Sequence, residues 1–251
     1  MKASSVNPCL LVAIYDHGDT IGAVIEALAP LGFPCLIVDD GSDEATREVL
    51  DRLDSACPWV RLERRTRNGG RGAALKTGYR LAARLGYTHA VQIDADGQHS
   101  TSDVPVLLDA ARRRPDALIL GYPIFGANAS RSRRYGHWIS QSWTWLETCS
   151  FAIRDPLCGL RCMPLAPTLR VIERVRCGDH MEFDPEIAVR LVWEGVPVVN
   201  VPTRVRYPPG GISHFGLFRD NVRISWLHAR LFLGMLPRVP RLVARRFGYG
   251  S

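Results

Sequence analysis

Apolar and polar positions sort the first half of the chain into two alternating textures. CLLVAI (9–14), CLIVDDG (35–41), VRLER (60–64), AVQID (90–94) and ALILGY (117–122) are short runs, apolar throughout or alternating, and predict strands. The stretches 19–29, 43–56, 72–85 and 102–113 carry their apolar residues at helical spacing. Strand and helix in alternation mean βαβ units, hence an α/β fold whose mostly parallel sheet carries helices on both faces. Right-handed crossovers bring the C-terminal ends of the strands to one edge, the edge where open α/β sheets bind ligands.

The second half changes character. Residues 134–150 form a Trp-rich helical pattern, followed by a loop, DPLCGLRCMP (155–164), a helix at 184–194 and the strand VPVVNVP. A Gly/Pro-rich loop, YPPGGISHF (207–215), leads into a tail that reads as a basic amphipathic helix, with Phe218, Val222, Trp226 and Leu233 at helical spacing. There is no internal repeat and no low-complexity linker. With 251 residues, 46% of them apolar, the chain can bury one full α/β core.

Charge changes this picture only at the end of the chain. The formal net charge is +7, and all but two of the 32 basic residues are arginine. Seven of those arginines lie after Phe215 against the single acid Asp220, so the body is nearly neutral. No zinc finger, RNP motif or helix-turn-helix signature accompanies the charge, which argues against nucleic acid. The seven cysteines are odd in number and scattered, as expected of reduced thiols in a cytoplasmic protein. Cys158, Cys162, Cys177 and His180 have loosely zinc-like spacings, but Cys162 falls in a strand-like run, and buried free thiols are the preferred reading. CLLVAIY follows a single lysine and ends at Asp16, unlike a signal peptide. The longest apolar candidate, ISWLHARLFLGML, is interrupted by His228 and Arg230, so contact with a membrane would be peripheral.

The candidate chemistry lies at the strand ends. Asp39 and Asp40 follow one strand, Asp94 and Asp96 another, and the topology brings both pairs to a common rim. Alternation predicts that Asp94 and Asp96 share a face, where their repulsion calls for a positive partner. An EF-hand fails, because its sixth position is His99 and its twelfth Pro105. Two readings stay open: a turn begun by Asp96 with Asp94 capping the next helix, or a site for Mg²⁺ or Mn²⁺. The segment RNGGRGAALKTG nearly makes a phosphate-binding loop, but Leu75 occupies the required glycine position before Lys76. What remains is a Gly-rich turn entering a helix, either an ordinary turn or one whose N–H groups and Arg71 favour an anion.

Five motifs, CLLVAIYDHGDTI, IVDDGSDEAT, NGGRGAALKTGY, QIDADGQH and DPLCGLR, occur in order over residues 10–161. Together they resemble glycosyltransferase family 2, in particular its dolichol-phosphate-mannose-synthase-like branch. The resemblance implies a GT-A fold that binds a nucleotide-diphosphate sugar. It divides residues 1–214 into a nucleotide-sugar lobe (7–122) and an acceptor lobe (123–214), with a tail at 215–251. Asp39 or Asp40 would then contact the nucleoside, with Tyr15, the backbone near Ala13, Asn68 and Arg71 around it. Asp94 and Asp96 would hold ribose and metal, with Gln98 as a further metal ligand. Asp155 and Arg161 of DPLCGLR, and Ser213 and His214 of the GGISHF loop, would face the acceptor or the diphosphate. The family's Pro-Thr-Tyr-Asn after the first strand is here Ala13-Ile14-Tyr15-Asp16, and its Gly-Ser-Arg after the fifth is Gly121-Tyr122-Pro123.

The family is inverting, so an acceptor attacks the anomeric carbon opposite the leaving diphosphate. A hydroxyl acceptor needs a general base, and HMEFDPE offers Asp184 first and Glu182 second; acids there also complement a helix dipole. A lipid phosphate, already anionic, would need none. The basic tail either packs on the domain or lies on an anionic membrane. The leading expectation is a metal-dependent glycosyltransferase of cell-envelope glycoconjugate synthesis, bacterial, peripheral on the inner face of the plasma membrane, with a lipid or lipid-phosphate acceptor. The alternatives are a non-catalytic membrane-associated sugar-nucleotide binder and a nucleotidyltransferase, although no G-x-G-T-R-like loop follows the first strand.

Overall fold

The computed structural model describes residues 6–124, 131–205 and 217–246. Ser213 and His214, assigned to a phosphate-closing loop, lie outside them. The strands are β1 (Pro8–Ile14), β2 (Cys35–Asp39), β3 (Val60–Arg64), β4 (His89–Asp94), β5 (Leu118–Ile124), β6 (Arg161–Pro164) and β7 (Val198–Arg204). The helices are α1 (Gly18–Leu28), α2 (Glu44–Ala56), α3 (Arg71–Arg84), α4 (Val104–Arg113) and α5 (Arg131–Thr148). They continue with α6 (Leu165–Arg174), α7 (Phe183–Trp193), α8 (Leu217–Met235) and α9 (Val239–Arg246).

All seven strands join one sheet in the order β3-β2-β1-β4-β6-β5-β7. Every pairing is parallel except those of β6, which runs antiparallel to both β4 and β5. The predicted parallel sheet is therefore present, with one reversed strand, β6, at the end of the segment DPLCGLRCMP, where the run around Cys162 is strand-like within an expected loop. Both faces are covered. Leu10, Val12 and Ile14 of β1 meet α1, α2 and α4 in one core, while Cys9 and Leu11 meet α3, α6 and α7 in the other. The sheet thus separates Cys158 and Cys162, in the first core, from Cys177, in the second. Those thiols cannot converge on one zinc ion.

Beyond the sheet, α8 and α9 bury Leu227, Leu231, Met235 and Leu242 against Val189 and Trp193 of α7. The tail is two helices rather than one, because Pro237 lacks the N–H that would continue α8. Its opposite side stays open: Val222, Trp226 and Leu233 are exposed, as are Tyr135 and Trp138 on the neighbouring α5. Trp143 of α5 stacks on His228 of α8, with ring centroids 5.7 Å apart. No described helix is long and apolar enough to cross a membrane.

Candidate active site

The register places the acids as the strand ends require. Ala13 pairs with Asp94 and Ile14 with Asp39, so β1 lies between the two acid-bearing ends. Around this rim lies a cleft of about 340 Å³, lined among others by Ala13, Tyr15, Asp40, Asn68, Arg71 and His180, with Arg219 and Arg223 of α8.

Asp39 and Asp40, adjacent in sequence, do different work. Asp39 is fully buried, accepting hydrogen bonds from the backbone of Ser42 at 2.9 Å and from Arg64 Nε at 3.0 Å. Its lone pairs are committed to β3 and the turn. Asp40 turns to the cleft, where its carboxylate accepts from Gly70 N–H at 2.7 Å, from Gly69 N–H and from Arg65. Burial still raises its carboxyl above the ordinary range, with the Gly69 and Gly70 N–H groups and Arg65 opposing. Asn68 Oδ1 also accepts from Gly70 N–H, at 3.0 Å, and the side chains of Asn68 and Asp16 both hydrogen-bond Tyr15.

The positive partner demanded by the acids is Arg71, which opens α3. Its Nη2 lies 2.5 Å from Asp94 Oδ1 and its Nε 2.8 Å from Asp184 Oδ2. One guanidinium thus joins the end of β4 to the first turn of α7. The face shared by Asp94 and Asp96 is not a strand face, because β4 ends at Asp94 and Asp96 sits in the turn that follows. Burial opposes ionisation of Asp94, but Arg71 and His99, whose Nε2 is 3.2 Å from Asp94 Oδ2, outweigh it and hold that carboxyl well below the usual range. Asp96 goes the other way: burial and the charge of Asp94 raise it. Its Oδ1 accepts from Gln98 N–H at 3.0 Å.

Asp184 is the more tightly tied of the two candidate bases. Besides Arg71, Gln92 Nε2 donates to it at 3.1 Å and Arg161 Nη1 lies 3.5 Å away. Glu182 is buried too and lines a neighbouring pocket, while neither acid is among the residues that line this cleft. Arg161, expected to face the acceptor or the diphosphate, does neither. It is 0% exposed and donates to the carbonyls of Pro156, Cys158 and Asp184, so it braces the 155–160 loop against α7. Asp155 fixes the same loop, accepting from the N–H groups of Leu157 at 2.8 Å and Cys158 at 3.0 Å and pairing with His137 of α5 at 2.6 Å. Lys76 Nζ donates to the carbonyls of Cys177 and Gly178 and to the carboxylate of Asp179.

Two glycines explain why these segments can meet. Gly70 has φ +96°, a left-handed conformation that side chains disfavour, and a Cβ there would strike His180 and the Asp179 carbonyl. A Cβ on Gly159 would lie 2.5 Å from Asp94 Cγ. The DPLCGLR loop therefore rests directly on the acid of β4. The sequence reading missed Gly159, His99 and Gln92; the glycine inside a motif otherwise read for its charged residues was the available signal.

Comparison with known proteins follows the geometry. The model of the family described as glycosyl transferase family 2 matches residues 9–175. Polyprenol monophosphomannose synthase of Mycolicibacterium smegmatis is 40% identical over 85 residues, 34% of this chain and 32% of that protein. Undecaprenyl-phosphate mannosyltransferase of Micrococcus luteus is 38% identical over 77 residues, 31% of this chain and 32% of that protein. Both matches thus span about a third of each partner. Among solved structures, a mannosyltransferase from Pyrobaculum calidifontis in complex with GDP-Man and Mn²⁺ superposes with a TM-score of 0.59 at 16% identity, covering 99% of this chain and 77% of that one. That likeness gives the fold, the expected GT-A arrangement. With a family model spanning most of the sheet, the chain belongs to glycosyltransferase family 2 and is a glycosyltransferase.

Proposed function

We propose that the enzyme moves a sugar from a nucleotide-diphosphate sugar to a lipid-linked acceptor at a membrane surface, with inversion and with a divalent cation, in cell-envelope glycoconjugate synthesis. The observation that carries the reading is the convergence of Asp40, Asp94, Asp96 and Arg71 on one sheet edge beside a cleft. Asp40, Tyr15, Asn68 and the backbone at Ala13 form the nucleoside end. Asp39, tied to Arg64 and Ser42, serves the fold.

The donor set fits a hard cation. Asp94 and Asp96 interact electrostatically, and Asp96 is a half-buried carboxyl with no ion pair among the described residues. No cluster of three or more His, Cys, Asp or Glu occurs among the described residues, so Mg²⁺ or Mn²⁺ would here have one or two carboxylates, with phosphates and water completing its shell. Asp96, Asp94 and the Gln98 amide would hold it, and it would supply charge stabilisation of the departing diphosphate. Arg71 keeps Asp94 ionised and Asp184 in place.

The mannosyl-phosphate lipid chemistry in the names of the Mycolicibacterium and Micrococcus relatives supports a lipid-linked acceptor. So does the exposed aromatic surface of α5 and α8, with Trp138 at 56%, Trp226 at 66% and Leu233 at 65% exposure, which suits the headgroup level of a bilayer.

The test is thermal-shift titration with UDP, GDP, CDP, ADP and their sugars, each with and without Mn²⁺, on wild type and Asp96→Asn. A diphosphonucleotide should stabilise the wild type only with metal, by about 2.7 kcal/mol at a hundredfold excess over Kd, and Asp96→Asn should lose the shift. No shift with any nucleotide would sink the reading.

A further inference from the structure

A pocket of about 330 Å³ lies between α3 and the segment that leaves α6, and shares none of its lining residues with the cleft. α3 contributes Ala73, Lys76, Thr77 and Arg80, the i, i+3, i+4 and i+7 positions of one helical stripe. Arg65, just past β3, and Arg176, two residues past α6, add two more cations. Four basic side chains thus face one acid, Asp179. Part of that charge is answered within the fold: Arg65 pairs with Asp40 and Lys76 with Asp179. Arg80 and Arg176 are exposed and make no ion pair among the described residues.

Lys76 and Arg80, one helical turn apart, repel each other, and a concavity lined by one sign of charge concentrates counter-ions. Guanidinium forks match the oxygens of a phosphate, and a phosphate monoester brings nearly two negative charges at neutral pH. The volume is at the small end for ligand sites and leaves room for one small ring against Ile172 and Val175. Two of the cations also reach the wall of the cleft. Arg65 holds Asp40 and packs on the Gly-rich turn, where a Cβ on Gly69 would lie 2.5 Å from its Nη2. Lys76 holds Asp179, whose carbonyl accepts from Ala73 N–H at 2.9 Å, beside the cleft residue His180. An anion that draws on Arg65 loosens its grip on Asp40, whose burial already favours the neutral carboxyl against the pull of Gly69 N–H and Arg65.

We propose that this pocket binds a phosphate monoester, and that its occupancy weakens nucleotide binding in the cleft through Arg65 and Asp40. Linkage is reciprocal, so a bound nucleotide weakens the monoester by the same factor. The coupling rests on the donor reading of the cleft given above; the binding itself does not.

The experiment is titration calorimetry on the full chain in EDTA, with glucose 6-phosphate as a soluble monoester and glucose as the uncharged control. The ester alone should bind saturably, about tenfold more weakly in Arg80→Ala and in Arg176→Ala. Both side chains are exposed, so both variants should melt like the wild type. Vesicles of phosphatidic acid in phosphatidylcholine offer the same group from a lipid. Binding to them that needs Arg80 and Arg176, without binding of glucose 6-phosphate, assigns the monoester to a headgroup. With Mn²⁺ and the nucleotide that gives the largest thermal shift, saturating glucose 6-phosphate should lower nucleotide affinity about fivefold and then plateau. The double variant Arg80→Ala with Arg176→Ala should keep nucleotide affinity unchanged under the same addition. A fall without a plateau, equal in wild type and variants, is competition inside the cleft and overturns the coupling. Ester and vesicle binding that is absent, or the same in all the proteins, overturns the pocket. A wild type that binds no nucleotide overturns the donor reading and the coupling with it, while the titrations in EDTA still decide the pocket.

Discussion

Replacing Arg71 by methionine keeps the stem and removes the charge that joins Asp94 to Asp184. Breaking a buried ion pair by removing one partner costs about 3–5 kcal/mol, because the remaining charge is left uncompensated. Here one guanidinium serves two carboxylates, at 2.5 and 2.8 Å, which places the cost toward the upper end. Partial exposure, 17% for the Arg71 side chain and 21% for Asp94, calls for a discount, leaving about 3 kcal/mol. For a chain of this size each kcal/mol moves Tm by roughly 2–4 °C, so Arg71→Met should melt about 10 °C below wild type near neutral pH.

The pH dependence carries a definite sign. In the wild type the Asp94 carboxyl is depressed by Arg71 and His99, so its contribution is present above the unfolded carboxylate range and is lost only as pH falls through the depressed value. Without Arg71, Asp94 stays half-buried beside Asp96 and titrates higher, and protonation relieves the variant first. The gap between variant and wild type should therefore narrow from pH 8 to pH 5 in urea or thermal melts. A loss under about 1 kcal/mol, or a gap that widens in acid, would refute the ion-bridge reasoning.

Further outcomes follow from neighbouring geometry. Gly159→Ala would push a methyl group into the Asp94 carboxylate, which Arg71 and His99 hold in place. It should destabilise by about 1–3 kcal/mol, as overpacking does, and weaken the metal-dependent nucleotide shift; a variant that melts and binds like wild type would mean the loop lifts freely. Burial pushes the thiols of Cys9, Cys158 and Cys162 up to about 12 and that of Cys177 to about 11, whereas Cys57 and Cys149 are half-buried. At pH 8 a thiol reagent should label those two quickly and the others only on unfolding, with no change on adding EDTA. Rapid native labelling of Cys158 or Cys162 would contradict the packing.

The parts of this architecture that depend on neighbours in sequence were legible in the chain. Period-two and period-3.6 patterns located the strands and helices of the first half, and strand ends located Asp40 and Asp94 on one edge. LAPTLRVIER carries Leu165, Leu169 and Ile172 at helical spacing, the local pattern of α6. What was not legible is pairing across distance. Asp39 and Asp40 look alike until Arg64 claims one and the turn at Gly69 and Gly70 the other. Arg71 and Asp184 are 113 positions apart, and no local pattern joins them. Arg161 reads as a cleft arginine by its motif, yet the loop it braces folds over it completely. The run around Cys162 is strand-like in the sequence, but without β-branched residues nothing local fixes its direction, and only the slot between β4 and β5 sets it antiparallel.

That reversed strand reorders the molecule's tolerance to insertion. Wherever strands run parallel, the segment after a strand borders the chemistry and the segment before it does not. At β6 the rule inverts: Pro164 lies opposite His89 at the start of β4, and Arg161 opposite Gln92 near its end. The junction after Pro164 therefore emerges on the far edge of the sheet, beside residues 87–89. Pro164 and Leu165 are themselves buried, so an affinity tag or fluorophore tether on that far edge belongs on the exposed turn at Leu85–Gly86, away from the acids, while the same cargo near Gly159 would land on Asp94.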